Sequence, residues 1–317
     1  MSSQNKKIMK AIQVHQYGGA DVLLLDDVKK PVPQDGEILI RLKAAALNPI
    51  DAKIRSGYMK EVIPIPLPFI PGWEGAGIVE ETGLNVTEFK TGDEVITRVP
   101  FNKGGAYGEY MLAGESEVIF KPRSLSFTDA ASLPIVASAA YTLLFKAARV
   151  KPGQTVFILG AAGSVGLLAV QMAKNAGAIV IATATGDDKE IVLEAGADEV
   201  IDYAKPGYAE SIKDVDLALD LVGGPAQGSL WKILRKGGQL LSTTMPPSQE
   251  KAAEFGVTAA FVFTQTDKPV MEKVAEMADK GIIKIRVGKV LPLAEVSQAH
   301  FLMDERMVSG KIVLEMN

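Results

Sequence analysis

The chain is predicted to be an α/β protein, a doubly wound parallel sheet preceded by a smaller β-rich region. Three observations predict this. Between residues 154 and 264 short apolar and β-branched runs alternate with helical stretches, as in a parallel sheet covered by helices on both faces. Inside that region, residues 155–185 read as strand, glycine turn, helix, strand, with Gly160, Gly163 and Gly166 in the turn. Ahead of it, residues 8–113 hold short extended runs punctuated by Gly and Pro.

In chain order, runs at 8–16, 22–28 and 37–47 are expected strands, separated by Gly18-Gly19, Pro31, Pro33 and Gly36. Pro64, Pro66, Pro68 and Pro71 exclude regular helix from 61–72, which should wrap an edge as a loop. Further strands are expected at 75–80, 93–99 and 107–113. Around 128–148 the pattern turns helical, with Thr128-Asp129 as cap and a break near Pro134. The parallel-sheet strands are expected at 155–159, 178–183, 199–202, 216–222, 238–244 and 258–264. A helix at 268–280 has Pro269 near its start and Gly281 beyond its end. Strand-like segments at 283–291 and 311–315 finish the chain.

Composition limits the function. With 317 residues there is room for two cores. A net charge of −4 and a pI near 5.5 leave no basic stripe for nucleic acid, so that partner is excluded. There is no cysteine, which removes disulfides, thiolate nucleophiles and Cys-based zinc sites. The stretch from Met1 to Lys10 is polar, without an apolar leader, and no apolar run reaches the ~20 residues of a membrane span. A cytoplasmic protein without membrane association is expected.

The glycine turn has a physical reading. Gly160, Gly163 and Gly166 let the backbone turn tightly and approach a pyrophosphate, which rests on the N–H groups opening the following helix, those of Ser164 and Val165. Gly166 lets that helix pack close to the first strand. The second strand ends Thr183-Ala184-Thr185-Gly186, with no carboxylate to accept from a ribose 2′-OH. Hydroxyls and a glycine there leave room for a 2′-phosphate, with Lys189 the nearest cation, so NADPH is expected over NADH. Asp187 and Asp188 oppose this unless they face solvent.

The segment Pro71-Gly72-Trp73-Glu74-Gly75-Ala76-Gly77 through Gly83 resembles the signature of the medium-chain dehydrogenases/reductases. Gly72, Glu74, Gly77 and Gly83 keep the spacing, but Trp73 stands where zinc enzymes of that superfamily have a ligating His. The position of their catalytic Cys falls near Asn48. Both departures resemble the zinc-free quinone oxidoreductase and alkenal/enone reductase branch. Ala131 to Pro134, Gly160 to Gly166, Gly196 to Tyr203, Asp220 to Gly224 and Gly310 to Leu314 extend the match along nearly the whole chain.

The resemblance implies a GroES-like β-barrel from residues 1–125, completed by 265–317, and a Rossmann domain at 126–264 with the cofactor between them. It implies hydride transfer to a small-molecule quinone or an α,β-unsaturated carbonyl without a metal. The charge collecting on the carbonyl oxygen then needs only a hydrogen-bond donor. Three donors are expected in the segment 48–58. Asn48 occupies the former ligand position, or merely caps the turn before Pro49. Lys53 matches a lysine that meets cofactor or substrate in the plant alkenal reductases, or is simply solvated. Tyr58 donates a proton or lines the cleft. By the same resemblance Thr183, Thr185, Gly186 and Lys189 surround the 2′-phosphate, although the plant lysine position aligns with Asp188. Tyr203 meets the adenosine, and Val222 and Phe263 line the nicotinamide pocket or are core. A threonine contact to the nicotinamide is lost at Ala139. Neither His15 nor His300 stands in a recognisable hydrolase triad. Met303 and Met307 are read as packing. A homo-oligomer, a dimer, is expected. Two other readings remain: an enoyl-thioester reductase, and a non-catalytic NADPH-binding sensor or structural protein.

Overall fold

The computed structural model describes residues 7–205, 207–263 and 267–316, and two compact units divide them. The first takes the chain through Ile135, then Asp267–Asp279, and everything from Ile285. The second takes Val136–Thr266 and Lys280–Lys284.

In the first unit, β1 (Ile8–Val14) and β2 (Leu23–Lys29) form an antiparallel pair. The central strand is β3 (Glu37–Ala46), whose apolar residues are buried along most of its length. A seven-residue helix, α1 (Pro49–Arg55), follows at once. Next come β4 (Glu74–Thr82), β5 (Glu94–Arg98), β6 (Tyr110–Gly114), β7 (Val118–Phe120) and α2 (Phe127–Ala131). One edge of β3 pairs with β4; the other is shared by β6 along Glu37–Arg41 and by a C-terminal strand along Ala44–Ala46. Ile12, Ile40, Leu42, Trp73, Tyr107 and Leu314 belong to the core so enclosed.

The second unit begins in α3 (Pro134–Tyr141), which continues as a wider π-helical turn over Thr142–Ala147. Then follow β8 (Thr155–Leu159), α4 (Ser164–Asn175), β9 (Ile179–Thr183), α5 (Asp188–Glu194), β10 (Glu199–Ile201), β11 (Val215–Asp220), β12 (Leu234–Ser242), α6 (Gln249–Phe255) and β13 (Thr258–Phe261). The six strands are parallel in the order β10-β9-β8-β11-β12-β13, the doubly wound arrangement predicted. The switch point lies between β8 and β11, at the glycine turn.

The chain then returns to the first unit as α7 (Lys268–Asp279), β14 (Val287–Pro292), α8 (Val296–Asp304) and β15 (Lys311–Glu315). Strand β15 pairs antiparallel with β3 and parallel with β14.

Several sequence expectations need correction. The cap before α2 is Ser126, whose hydroxyl accepts from the Asp129 N–H, rather than Thr128-Asp129. The expected strand at 283–291 begins only at Val287, and that at 258–264 ends at Phe261, with Thr264 outside the described residues. Among the described residues no α-helix joins β10 to β11, and Gly224–Lys232, between β11 and β12, is a 3-10 run. Gly224, Pro225 and Gly228 within that run disfavour a regular α-helix. The strand β7 and the short helix α1 were not expected; Pro49 suits α1 as its first residue, where no N–H is required.

Candidate cofactor and active sites

In the second unit the glycine turn is built as its sequence suggested. Gly160 has φ +86°, and a Cβ there would come within 2.8 Å of Val222 Cγ2. At Gly166 a Cβ would sit 2.2 Å from Gly160 O and 2.7 Å from Ala161 Cα, so only glycine lets α4 press against the turn. Gly163 is the N-cap of α4, and the first-turn N–H groups of Ser164 and Val165 lie beyond the reach of intrahelical acceptors. The cradle fits a pyrophosphate: close backbone approach, a twelve-residue helix, and its positive end.

The ends of β9 and β10 lie side by side, Thr183 opposite Ile201. Thr183 is buried, accepting from the Gly160 N–H (3.0 Å) and donating to Ile158 O (3.4 Å), so its hydroxyl secures the turn. Thr185 is half-buried, Gly186 is exposed, and Tyr203 is exposed at the end of β10. Lys189 Nζ lies 2.7 Å from Asp202 Oδ2. The hydrogen bond from Lys189 holds the Asp202 carboxyl below its ordinary range. Asp202 is a carboxylate that sequence reading did not connect to this corner.

Val222 and Phe263 are 52% and 58% exposed, so neither is buried core. Val222 is held by Asp220, fully buried at the end of β11. Its carboxylate accepts from the Val222 N–H (3.1 Å), the Gly223 N–H (2.7 Å), Gln227 Nε2 (2.8 Å) and Ser242 Oγ (2.9 Å). Ala139 is buried in α3.

In the first unit the segment 48–58 divides in two. Asn48 is buried and its amide is fully engaged: Nδ2 donates to Glu74 Oε1 (2.7 Å), and Oδ1 accepts from Lys311 Nζ (2.7 Å). Lys311 spends its other hydrogens on Leu47 O (2.6 Å) and Glu74 Oε1 (3.1 Å), while Glu74 Oε2 accepts from the Ile135 N–H (2.7 Å). Asn48 is thus the N-cap residue of α1, but its side chain neither caps that helix nor points a free donor outward. Lys53 and Tyr58 are exposed, and together with Ala52, Arg55, Ser56 and Asp304 they line a surface hollow of about 370 Å³.

Beneath that hollow lies a buried polar chain. Asp51 Oδ2 accepts from the Asn48 backbone N–H (2.9 Å) and from Tyr107 Oη (2.7 Å). Tyr107 Oη is 3.3 Å from His300 Nε2, and Arg55 Nη1 donates to His300 Nδ1 (2.8 Å). Arg55 Nη2 in turn donates to Asp304 Oδ2 (2.9 Å). Burial pushes the Asp51 carboxyl up to about 7, against the hydrogen bonds from Tyr107 and Asn48. Burial, reinforced by Arg55, pushes His300 down to about 3, so it is neutral. Tyr107 is pushed up by burial and by the neighbouring Asp51, and stays a phenol. Sequence reading had set His300 aside; its partners lie 193 and 245 residues away and leave no local signal.

Trp73, at the former zinc-ligand position, is fully buried and donates its indole N–H to Phe101 O (2.9 Å). Among the described residues no group of three or more His, Cys, Asp or Glu is placed to hold a metal ion, and no helix is long and apolar enough to cross a membrane.

A β-rich unit completed by the C-terminal strand, together in one chain with a doubly wound dinucleotide-type sheet, defines the two-part oxidoreductase class. The alcohol dehydrogenase GroES-like domain family matches residues 34–123, and the zinc-binding dehydrogenase family matches residues 195–314. The quinone oxidoreductase of Pongo abelii is 32% identical over 328 residues, covering 98% of each chain. Among solved structures, an NAD-dependent alcohol dehydrogenase superposes with a TM-score of 0.90 at 29% identity, covering 98% of this chain and all of the other. A mycobacterial protein complexed with NADPH superposes at 0.86 with 30% identity, covering 97% and 99%. The chain belongs to the quinone oxidoreductase branch of the medium-chain dehydrogenase/reductase superfamily.

Proposed function

We propose that the chain is a zinc-independent, NADPH-dependent reductase that delivers hydride to quinones or α,β-unsaturated carbonyls. The observation that carries this reading is the end of β9. A glycine cradle fit for a dinucleotide is followed by Thr185 and Gly186, with no carboxylate from β9 to Gly186 to hold a ribose 2′-OH, and Lys189 stands close by, hydrogen-bonded to Asp202 just beyond β10. NADPH, when bound, supplies the hydride; Gly160, Gly163, Gly166, Ser164 and Val165 would hold its pyrophosphate. Thr185, Gly186, Lys189 and Tyr203 would hold its adenosine end, and Val222 and Phe263 would meet the nicotinamide.

Zinc independence is supported by what the ligand positions do instead. The Trp73 indole is a donor only and is bound to Phe101 O, and both ends of the Asn48 amide are engaged by Glu74 and Lys311. For the reacting carbonyl this leaves Lys53 and Tyr58, exposed in one hollow. The Lys53 ammonium would stabilise the negative charge that develops on oxygen, a preorganised donor typically being worth ~10²–10³ in rate. The α-carbon proton would come from water or from Tyr58.

The test is NADPH and NADH oxidation by the metal-analysed protein against a panel of quinones, enals, enones and enoyl thioesters. Turnover of quinones or enones with NADPH, without stoichiometric zinc, is expected. In the same experiment Lys189→Ala should weaken NADPH more than NADH, and Lys53→Ala should lower kcat/KM without changing the affinity for NADPH. Turnover confined to thioesters, or binding with no turnover, would overturn the reading. Equal NADPH and NADH affinities would overturn the cofactor assignment alone.

A further inference from the structure

The buried chain beneath Lys53 has a direction. Arginine has no acceptor, so the 2.8 Å contact from Arg55 Nη1 makes His300 Nδ1 the accepting nitrogen. The ring hydrogen is then on Nε2, facing Tyr107 Oη at 3.3 Å. With its oxygen serving as acceptor there, Tyr107 turns its own hydrogen onto Asp51 Oδ2 at 2.7 Å. Each group donates toward the carboxylate, and none accepts from it.

We infer that Tyr107 and His300 are positioning residues of the reductase reaction: they hold the Asp51 carboxylate, which in turn fixes the Asn48–Lys53 turn. The inference rests on the proposed reading in which Lys53 meets the substrate. Asp51 Oδ2 takes the Asn48 backbone N–H at 2.9 Å, and this bond closes the first turn of α1, two residues before Lys53. The other oxygen, Oδ1, is buried with no partner. Protonation places the hydrogen on that free oxygen, where no acceptor waits, and weakens both bonds on Oδ2. The turn then loosens under Lys53.

The charged and titratable groups around Asp51 come from every element that packs on it. Lys311 of β15 favours its ionised form, and Glu74 of β4 opposes it. Tyr107 donates to it from the segment before β6. Arg55 of α1 and His300 of α8 act through Tyr107, with Asp304 closing the chain at the surface. Burial against these donors leaves the carboxyl to titrate at about 7.

The test follows the Asn48 backbone amide by ¹⁵N–¹H NMR from pH 5 to 9, beside kcat/KM for NADPH and a small enone or quinone over the same range. In the wild type the amide resonance and the acid limb of kcat/KM should share a midpoint near 7. Tyr107→Phe should move both midpoints up by about one to two pH units, the worth of one hydrogen bond to a charged group. His300→Leu should move them in the same direction, and His300→Gln, which keeps an acceptor and a donor, should restore them. NADPH affinity should not change in any of these variants. A role that is only structural would lower Tm and leave the midpoints in place. An amide that does not titrate, or profiles that superimpose, would overturn the inference. If Tyr107→Phe does not fold, the His300 pair carries the same comparison. Absence of turnover on every acceptor would sink the reading of function, and the amide titration would still decide the relay.

Discussion

Gly166 and Gly163 sit three residues apart in one turn, yet only one is sterically compelled. An alanine methyl at 166 would collide with backbone, at 2.2 Å from Gly160 O and 2.7 Å from Ala161 Cα, and neither atom can yield without moving β8 or α4. At 163 the same methyl would meet Gly160 O at 3.4 Å, an ordinary contact. Overpacking of that severity costs about 1–3 kcal/mol or more. Gly166→Ala should therefore lower Tm and weaken NADPH at least tenfold, while Gly163→Ala should fold as the wild type. Calorimetry and fluorescence titration of the two variants check this; equal behaviour would mean that the turn is not held by the α4 contact. This residue-scale distinction was half legible. The glycine spacing marked the turn, but which glycine bears the approach depends on where β8 and α4 come to rest.

At the scale of elements, the longer strands and the long helices were legible because burial imposes their periods on the sequence, whereas the three-residue β7 is too short to show one. The tie between β3, β4 and β15 was not. Asn48, Glu74 and Lys311 carry no periodic signal, and Lys311 lies 263 residues from Asn48. Read locally, Asn48 looked like an outward donor; in the fold it is the polar bridge between a buried carboxylate and a buried ammonium. Likewise α1, only seven residues long, is too short to show a helical period, and the polar face it turns inward hides Asp51. The burial has consequences for stability. Removing one partner of a buried ion pair costs about 3–5 kcal/mol, because the other charge is left uncompensated. Lys311→Met should destabilise the first unit by that order, since Glu74 is fully buried. Asn48→Ala should cost less, about 1–3 kcal/mol, since Lys311 and Glu74 still face each other with one bond fewer apiece. Denaturant melts of the two variants give the ranking; a reversed order would place the main support of this cluster on the amide rather than on the charge pair.

For the molecule as a whole, Asp51 and His300 act on the pH dependence of stability in opposite senses. His300 is depressed from 6.5 to about 3, so its neutral burial favours folding above pH 6.5 and that contribution is lost as pH falls toward 3. Asp51 is raised from 3.8 to about 7, so its contribution is fully present below 3.8 and is lost as pH rises through 7. Between about pH 4 and 6.5 folding releases one proton at His300 and takes one up at Asp51, and the two slopes, each about 1.4 kcal/mol per pH unit, cancel. Removing either group exposes the other. Relative to the wild type, His300→Gln should lose stability by about 1.4 kcal/mol for each unit that pH rises from 4.5 to 6, and Asp51→Asn should gain it at the same rate. The sequence contains only two tryptophans, Trp73 in the first unit and Trp231 in the second, so a Trp231→Phe background makes the remaining indole a reporter of the unit that holds both groups. Urea titrations of the three proteins at pH 4.5, 5.25 and 6 measure the slopes directly. Stability differences that do not change with pH would show that neither group is perturbed by burial, and the polar chain beneath Lys53 would then have to be open to water.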